Sequence, residues 1–218
     1  MQVSGHPYGV WYALYQPWAN FIEGIWPLLE EAFQGSVPFT DELLDEKWNA
    51  LLKAWDEDFQ AVLQTWLTYP LLRAQGTWVR NLFAWRSRLL EFRWLIGAFA
   101  DPDMHVVEVW PDVKAWFLVF RPWGEQVQAY TEVLQNLPYA PSDTALWHRY
   151  IQFGSVLREW EQRALTPLIR LQRRVRAFGR EWPEAVRQRW LEWTDQAYSW
   201  TVRWFEGWAR WLTLPLEV

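Results

Sequence analysis

Few side chains in this sequence have the types and the spacing that catalysis requires. The chain of 218 residues contains no cysteine, so no thiol nucleophile is available, and no Gly-x-Ser-x-Gly elbow holds a serine at a strand-to-helix turn. The glycine-rich loops that bind dinucleotides or nucleoside triphosphates are missing as well. The sequence therefore favours a protein that is not an enzyme and that uses no cofactor.

One short segment combines side chains that bind divalent cations. It contains Asp101, Asp103 and His105, with Glu108 nearby, and carboxylate and imidazole groups are common metal ligands. The other two histidines are far away in the sequence, and no Glu-x-x-His helix motif accompanies the segment. We interpret it as a solvated turn between helices and predict no metal site.

Arginines form a local cluster in a chain that is acidic as a whole. Residues 149–189 contain ten arginines and four acidic residues, whereas the net charge of the chain is −5. Helical spacing places Arg173, Arg176 and Arg180, the basic stripe, opposite an apolar face. We expect a solvated or salt-bridged surface, or contact with an acidic protein surface such as residues 1–148 of the same or a neighbouring chain. Nucleic acid is the less favoured partner because the overall charge is negative.

Tryptophan is the most unusual feature of the composition, with 21 residues. Many recur seven residues apart, which is typical of helix core positions. A buried indole N–H still needs a hydrogen-bond acceptor, and this disfavours a core made only of tryptophan. We therefore expect the crowded set near the C-terminal end to form an external interaction surface. This tryptophan stripe comprises Trp190, Trp193, Trp200, Trp204, Trp208 and Trp211.

The apolar residues recur with helical period almost throughout, which predicts an all-α fold. We expect an elongated antiparallel bundle of about six mostly long helices with proline bends. One helix is predicted over 40–70 with Thr40 as its N-cap, and another over 110–137 with a bend at Pro122. A third opens at 142–143 and is interrupted at Pro167, and the last begins near Trp182. The segment 104–109 is the only short strand candidate, and we interpret it as linker.

The helix predicted over 71–99 carries a strict heptad pattern that places one apolar line along its length. Trp85, Leu89 and Phe92 belong to this line. Further apolar residues lie beside it, among them Phe83, Leu90 and Trp94, and are expected to widen the buried face. The helix is predicted to fold back on its predecessor as an antiparallel hairpin.

The two halves of the chain resemble each other. The segment from Trp11 to Trp18 has the pattern W-x5-P-W, and so does the segment from Trp116 to Trp123, an offset of 105 residues. The chain is then either one helical domain without a repeat or a duplicated three-helix unit, with repeats at 7–100 and 112–212 joined by a linker at 101–110.

Targeting signals and membrane spans are not predicted. Residues 1–22 are uncharged and aromatic but lack a basic n-region, and no apolar run is long enough to span a bilayer. We expect a cytoplasmic or particle-associated protein.

The leading hypothesis is a structural or interaction protein that self-associates or binds a protein partner through tryptophan-rich helix faces, as a component of a larger particle such as a virion would. The alternative is a binder of an apolar ligand or a lipid surface, and the third is an enzyme with a site not visible in the sequence.

Overall fold

A computed structural model describes residues 10–34, 39–67, 75–104, 106–120, 122–137, 140–178 and 181–213. Within these ranges every regular element is helical, and the prediction of an all-α bundle is confirmed. Short 3₁₀ turns cover 98–100, 102–104 and 118–120. The α-helices are α1 (Val10–Phe33), α2 (Asp41–Leu67), α3 (Gln75–Gly97), α4 (Val106–Phe117), α5 (Trp123–Asn136), α6 (Thr144–Phe178) and α7 (Glu184–Thr213).

The start of α2 follows the predicted capping chemistry. The Thr40 hydroxyl accepts a hydrogen bond from the Leu43 amide at 3.3 Å, which satisfies one of the amides that have no partner within the helix. Asp41 and Glu42 occupy the first turn, where the helix dipole favours negative charge.

The structure differs from the sequence prediction at three places, two of them at prolines. Pro122 separates α4 from α5, with a 3₁₀ turn over 118–120 between them, so two helices stand where one bent helix was expected. Pro167 lies inside α6, which runs without interruption, and the proline is buried. The expected linker at 104–109 is also wrong, since α4 begins at Val106 and contains Pro111.

The helices pack in a layered order. α2 contacts α1 and α3, these contact α5 and α7 respectively, and α6 covers α4, α5 and α7. The α2–α3 pair is antiparallel, as predicted, because Arg86 pairs with Asp56 at 3.0 Å and Arg93, farther along α3, pairs with the earlier residue Asp45 at 2.6 Å.

Aromatic rings from four helices meet in the middle of the core. The Trp18 ring of α1 lies 4.5 Å from Phe92 of α3 and 5.0 Å from Trp204 of α7. Trp116 of α4 lies 5.5 Å from Trp193 of α7 in an edge-to-face arrangement, which suits the ring quadrupoles. Residues 14–29 of α1 contribute to this core, so the absence of charge in that part of the first 22 residues reflects burial.

The tryptophan stripe belongs to the core, and its predicted role as an external surface is wrong for every member whose side chain is described. For three members, Trp190, Trp193 and Trp200, backbone carbonyl groups supply acceptors that the sequence argument did not anticipate. The Trp193 indole donates to the Leu95 carbonyl at 2.9 Å, and Trp200 donates to the Arg88 carbonyl at 2.8 Å. Leu95 lies in the last turn of α3, where carbonyls have no donor within the helix. The buried members are Trp190, Trp193, Trp200, Trp204 and Trp208, and the Trp211 side chain lies outside the described residues.

The two halves of the chain pack against each other. The Tyr15 hydroxyl donates to the Phe120 carbonyl at 2.9 Å. Helix α1 contacts α5, and α3 contacts α7. The duplication itself stays a prediction, which superposition of 7–100 on 112–212 would test.

Candidate interaction surface

The basic stripe lies on the solvent side of α6. Arg173 and Arg176 are exposed, and Arg180 lies outside the described residues. Their neighbours Arg170 and Arg174 flank the buried carboxylate of Asp112 in α4, with Nε to oxygen distances of 3.6 and 3.3 Å. This part of α6 therefore combines salt-bridged arginines with arginines that face water.

Asp101, one of the candidate metal ligands in the sequence, makes contacts within the fold. The Asp101 carboxylate accepts a hydrogen bond from the Asp103 amide at 2.9 Å and pairs with Arg189 of α7. The Asp103 amide first and Arg189 next lower the pKa of Asp101 below its usual value. His105 lies outside the described residues, and within the described part of the chain no group of three or more His, Asp or Glu side chains could hold a metal ion.

Among the described residues, three of the exposed large apolar ones lie together on α3. The relative solvent exposures of Phe83, Leu90 and Trp94 are 54%, 45% and 50%. They lie on the side of the helix opposite Trp85 and Leu89, which are buried. Large exposed apolar patches on soluble proteins mark interaction sites. We call these three residues, with the exposed Arg80 and Ser87 between and beside them, the α3 stripe.

The α3 stripe has a symmetric spacing. Its members lie at 80, 83, 87, 90 and 94, so an apolar residue stands three or four positions on either side of Ser87. Steps of three and four keep all five residues on one face of a helix. In a two-fold contact centred on Ser87 the unlike ends would meet, Arg80 of one copy near Trp94 of the other.

Charged groups border the α3 stripe on both sides. Towards α2, Arg86 pairs with Asp56, and this hydrogen bond raises the pKa of the Arg86 guanidinium. Towards α7, Arg203 pairs with Glu91 at 2.7 Å. The alternation of an apolar centre with a charged rim is typical of protein interfaces.

Two open clefts lie beside Trp94. One, of 620 Å³, is lined by Glu91, Asp195 and Arg203 among others. The other, of 550 Å³, lies at the C-terminal end of α3 and reaches Asp101. Trp94 lines both clefts, so its ring stands as a ridge between two depressions.

A small crevice between α5, α6 and α7 is lined largely by aromatic side chains. Trp123, Tyr130, Phe153 and Trp208 line it, and its volume is 10 Å³. That volume accommodates about one water molecule, far less than the several hundred cubic ångströms of typical ligand pockets. In this conformation the crevice offers no room for an apolar ligand.

The apolar spacing of α3 already contains the α3 stripe, although the sequence prediction assigns these residues to the buried face. Phe83, Leu90 and Trp94 were expected to widen the buried face of α3. They recur at heptad spacing of their own, displaced from the line of Trp85 and Leu89, so the helix carries two apolar faces. This second line is exposed in the structure, and its separate spacing is visible in the sequence.

In comparisons with protein-family models, curated proteins and solved structures, none matches this chain. Among the helices of the described residues, none has the length and apolar content needed to cross a bilayer.

Proposed function

We propose that this chain is a non-enzymatic structural or interaction protein that self-associates through the α3 stripe. The observation that carries the proposal is the exposure of Phe83, Leu90 and Trp94 on one face of a helix whose opposite face is buried. This surface replaces the tryptophan stripe as the expected site of assembly. Such a protein would suit a role as a component of a larger particle.

The size of the exposed surface supports a weak to moderate dimer. A large aromatic side chain buries about 150–250 Å², so two half-exposed aromatics and one leucine present about 300 Å² per copy. A stable interface buries about 800 Å² per partner. The α3 stripe therefore supplies the apolar centre, and the bordering charged residues and clefts supply the rest of the area.

A second copy fits this surface when the two α3 helices lie antiparallel with Ser87 at the two-fold axis. Phe83 of one copy then packs against Leu90 of the other, and Arg80 meets Trp94 at each end. The cleft beside Trp94 contains Glu91 and Asp195 against one arginine, so its net charge suits an incoming arginine. An arginine over an indole ring adds a cation–π contribution.

Sedimentation velocity over a concentration series tests the proposal. We expect the wild type to dimerise at about 300 mM salt, where contacts between exposed charges are screened. Because the contact is apolar, Phe83→Ser/Trp94→Ser should raise the dissociation constant at least about 100-fold. The matched control is Ile151→Ser/Ile169→Ser, which removes two exposed apolar side chains of α6 and should leave dimerisation unchanged.

The absence of cysteine allows the pairing itself to be tested by single cysteines. Ser87→Cys should form an intermolecular disulfide under mild oxidation, since the two side chains meet at the axis. Arg80→Cys should not, because antiparallel helices hold these positions about 20 Å apart. Linkage of both variants indicates parallel helices and contradicts the antiparallel arrangement.

Two results would overturn the proposal. One is a wild type that stays monomeric up to about 100 µM, a concentration at which a weak dimer is populated. The other is flotation of the monomer with liposomes that is lost in Phe83→Ser/Trp94→Ser, because the α3 stripe would then bind a lipid surface and not a second copy.

A further inference from the structure

The outermost helices of the bundle, α2 and α6, carry opposite charge. Helix α2 has seven acidic and two basic residues, a net charge of −5. Helix α6 has seven arginines and two acidic residues, a net charge of +5. The two helices occupy corresponding places in the predicted repeats, yet their charges are equal and opposite.

These two helices face away from each other. α2 packs on α1 and α3, whereas α6 packs on α4, α5 and α7. The layers between them separate the acidic flank, defined as the solvent side of α2, from the basic flank, defined as the solvent side of α6. A single copy therefore cannot bring its own two flanks into contact.

The charges lie where a partner could reach them. Neighbouring helices neutralise part of each flank, since Arg86 and Arg93 pair with α2 and Asp112 pairs with α6. Each flank still keeps an excess of its own sign. The exposed acidic residues of α2 are Asp41, Glu42, Asp45, Glu46 and Glu57, and the exposed arginines of α6 are Arg149, Arg158, Arg163, Arg170, Arg173 and Arg176.

The two flanks also match in length. The acidic residues of α2 extend from 41 to 58, and six of the seven arginines of α6 lie between 158 and 176. At 1.5 Å per residue both spans are about 26 Å long. Two helices of equal charged length and opposite sign can pair along their whole charged surfaces.

We propose that the acidic flank of one copy binds the basic flank of the next. This contact joins different surfaces, so every copy keeps one free flank of each sign and further copies add in series as a ring or a filament. It uses different helices from the α3 stripe and does not depend on it. The net charge of −5 disfavours a polyanion as the partner of α6, whereas α2 of another copy supplies matching negative charge.

Low salt is the condition that reveals this contact, because exposed charges attract over longer distances when screening is weak. We expect light scattering at about 20 mM salt to show a mass that rises with concentration beyond that of a dimer. At about 300 mM salt the same samples should lose at least tenfold in association constant. The α3 contact is apolar and should persist at high salt, so failure of one contact is distinguishable from failure of the other.

Charge reversal provides the decisive experiment. Arg173→Glu/Arg176→Glu makes α6 more acidic, and Glu46→Lys/Glu57→Lys makes α2 more basic. Each variant alone should show at least tenfold weaker low-salt association. An equimolar mixture should restore association, because the unaltered α2 of the α6 variant can bind the unaltered α6 of the α2 variant. This restoration also shows that both variants are folded.

A control variant with the same change in net charge shows whether weaker association comes from the altered flank or from the net charge. Glu125→Lys/Glu132→Lys changes two exposed residues of α5 by the same amount as the α2 variant and should retain self-association. Three results would overturn the proposal: no salt-dependent growth of the wild type, no restoration in the mixture, or binding of a DNA duplex that requires Arg173 and Arg176 while self-association does not.

Discussion

Replacing Thr201 by valine tests whether buried hydrogen bonds hold α7 in the aromatic core. The Thr201 hydroxyl accepts a hydrogen bond from the Trp116 indole at 2.9 Å and donates one to the Ala197 carbonyl at 2.7 Å. Threonine and tryptophan are both fully buried here. Valine keeps the shape of threonine but removes the acceptor, so the Trp116 N–H is left without a partner in a region that excludes water.

The expected cost follows from that unsatisfied group. Leaving a buried donor unpaired costs about 1–3 kcal/mol, so Thr201→Val should lower the free energy of unfolding by about 2 kcal/mol. For a protein of this size each kcal/mol changes the melting temperature by about 2–4 °C. The melting temperature should therefore fall by about 4–8 °C.

A double-mutant cycle separates this hydrogen bond from packing. In a Trp116→Phe background there is no indole donor, so Thr201→Val should be nearly neutral, and the coupling energy should be about 1–2 kcal/mol. The measurement is guanidinium unfolding followed by far-ultraviolet circular dichroism. Thr131→Val is the matched control, since its buried hydroxyl makes the same bond to a carbonyl four residues earlier and has no indole partner.

The reasoning fails if Thr201→Val is neutral in the wild type. It also fails if the substitution costs as much in the Trp116→Phe background, because the loss would then come from the threonine and not from the indole bond. Equal losses of unfolding free energy in Thr131→Val and Thr201→Val would also show that the loss comes from the threonine and not from the indole bond.

Two further predictions concern stability. Gly154→Ala should stabilise by about 0.5–1 kcal/mol, because nothing lies within 4 Å of the added methyl. Gly124→Ala should lack this gain, since its Cβ would lie 3.1 Å from the buried Tyr15 ring; equal melting temperatures for the two variants would contradict this. Because the pKa of Asp101 is lowered in the folded protein, its ionised carboxylate stabilises the fold above pH 3.8, the pKa of this group in the unfolded chain. This stabilisation is lost as the pH falls through the lower pKa of the folded state. Asp101→Asn should therefore make the acid limb of the unfolding free energy shallower, and an unchanged acid limb in urea titrations would refute the assignment.

Sequence periodicity predicted the helices well where one face is apolar and the ends are capped. Thr40 and the heptad line of Trp85, Leu89 and Phe92 are examples, because a capping residue and a regular apolar spacing are both local features of the sequence. The boundaries around Pro122 and Pro167 were predicted wrongly. Whether a proline breaks a helix depends on the helices packed around it, and that information is not local.

The predicted interaction surface was wrong for a similar reason. The tryptophan stripe was placed outside because buried indoles need acceptors. The carbonyls of Leu95 and Arg88 provide acceptors for Trp193 and Trp200 from a helix about a hundred residues earlier, and Trp204 is buried although its indole nitrogen has no partner among the described residues. Only the tertiary structure brings these groups together. Arg173 and Arg176 are exposed, and their position opposite an apolar face is a local property, whereas the partner of this surface stays a prediction.

The position of α7 has a consequence for synthesis of the chain. Its tryptophans cover Trp18, Phe92 and Trp116, all of which leave the ribosome earlier than α7 does. Until α7 emerges, the nascent chain exposes aromatic surface that its earlier helices cannot cover. Chaperones that recognise exposed apolar segments should therefore bind ribosome-bound chains that end before residue 184 more strongly than chains in which α7 is complete.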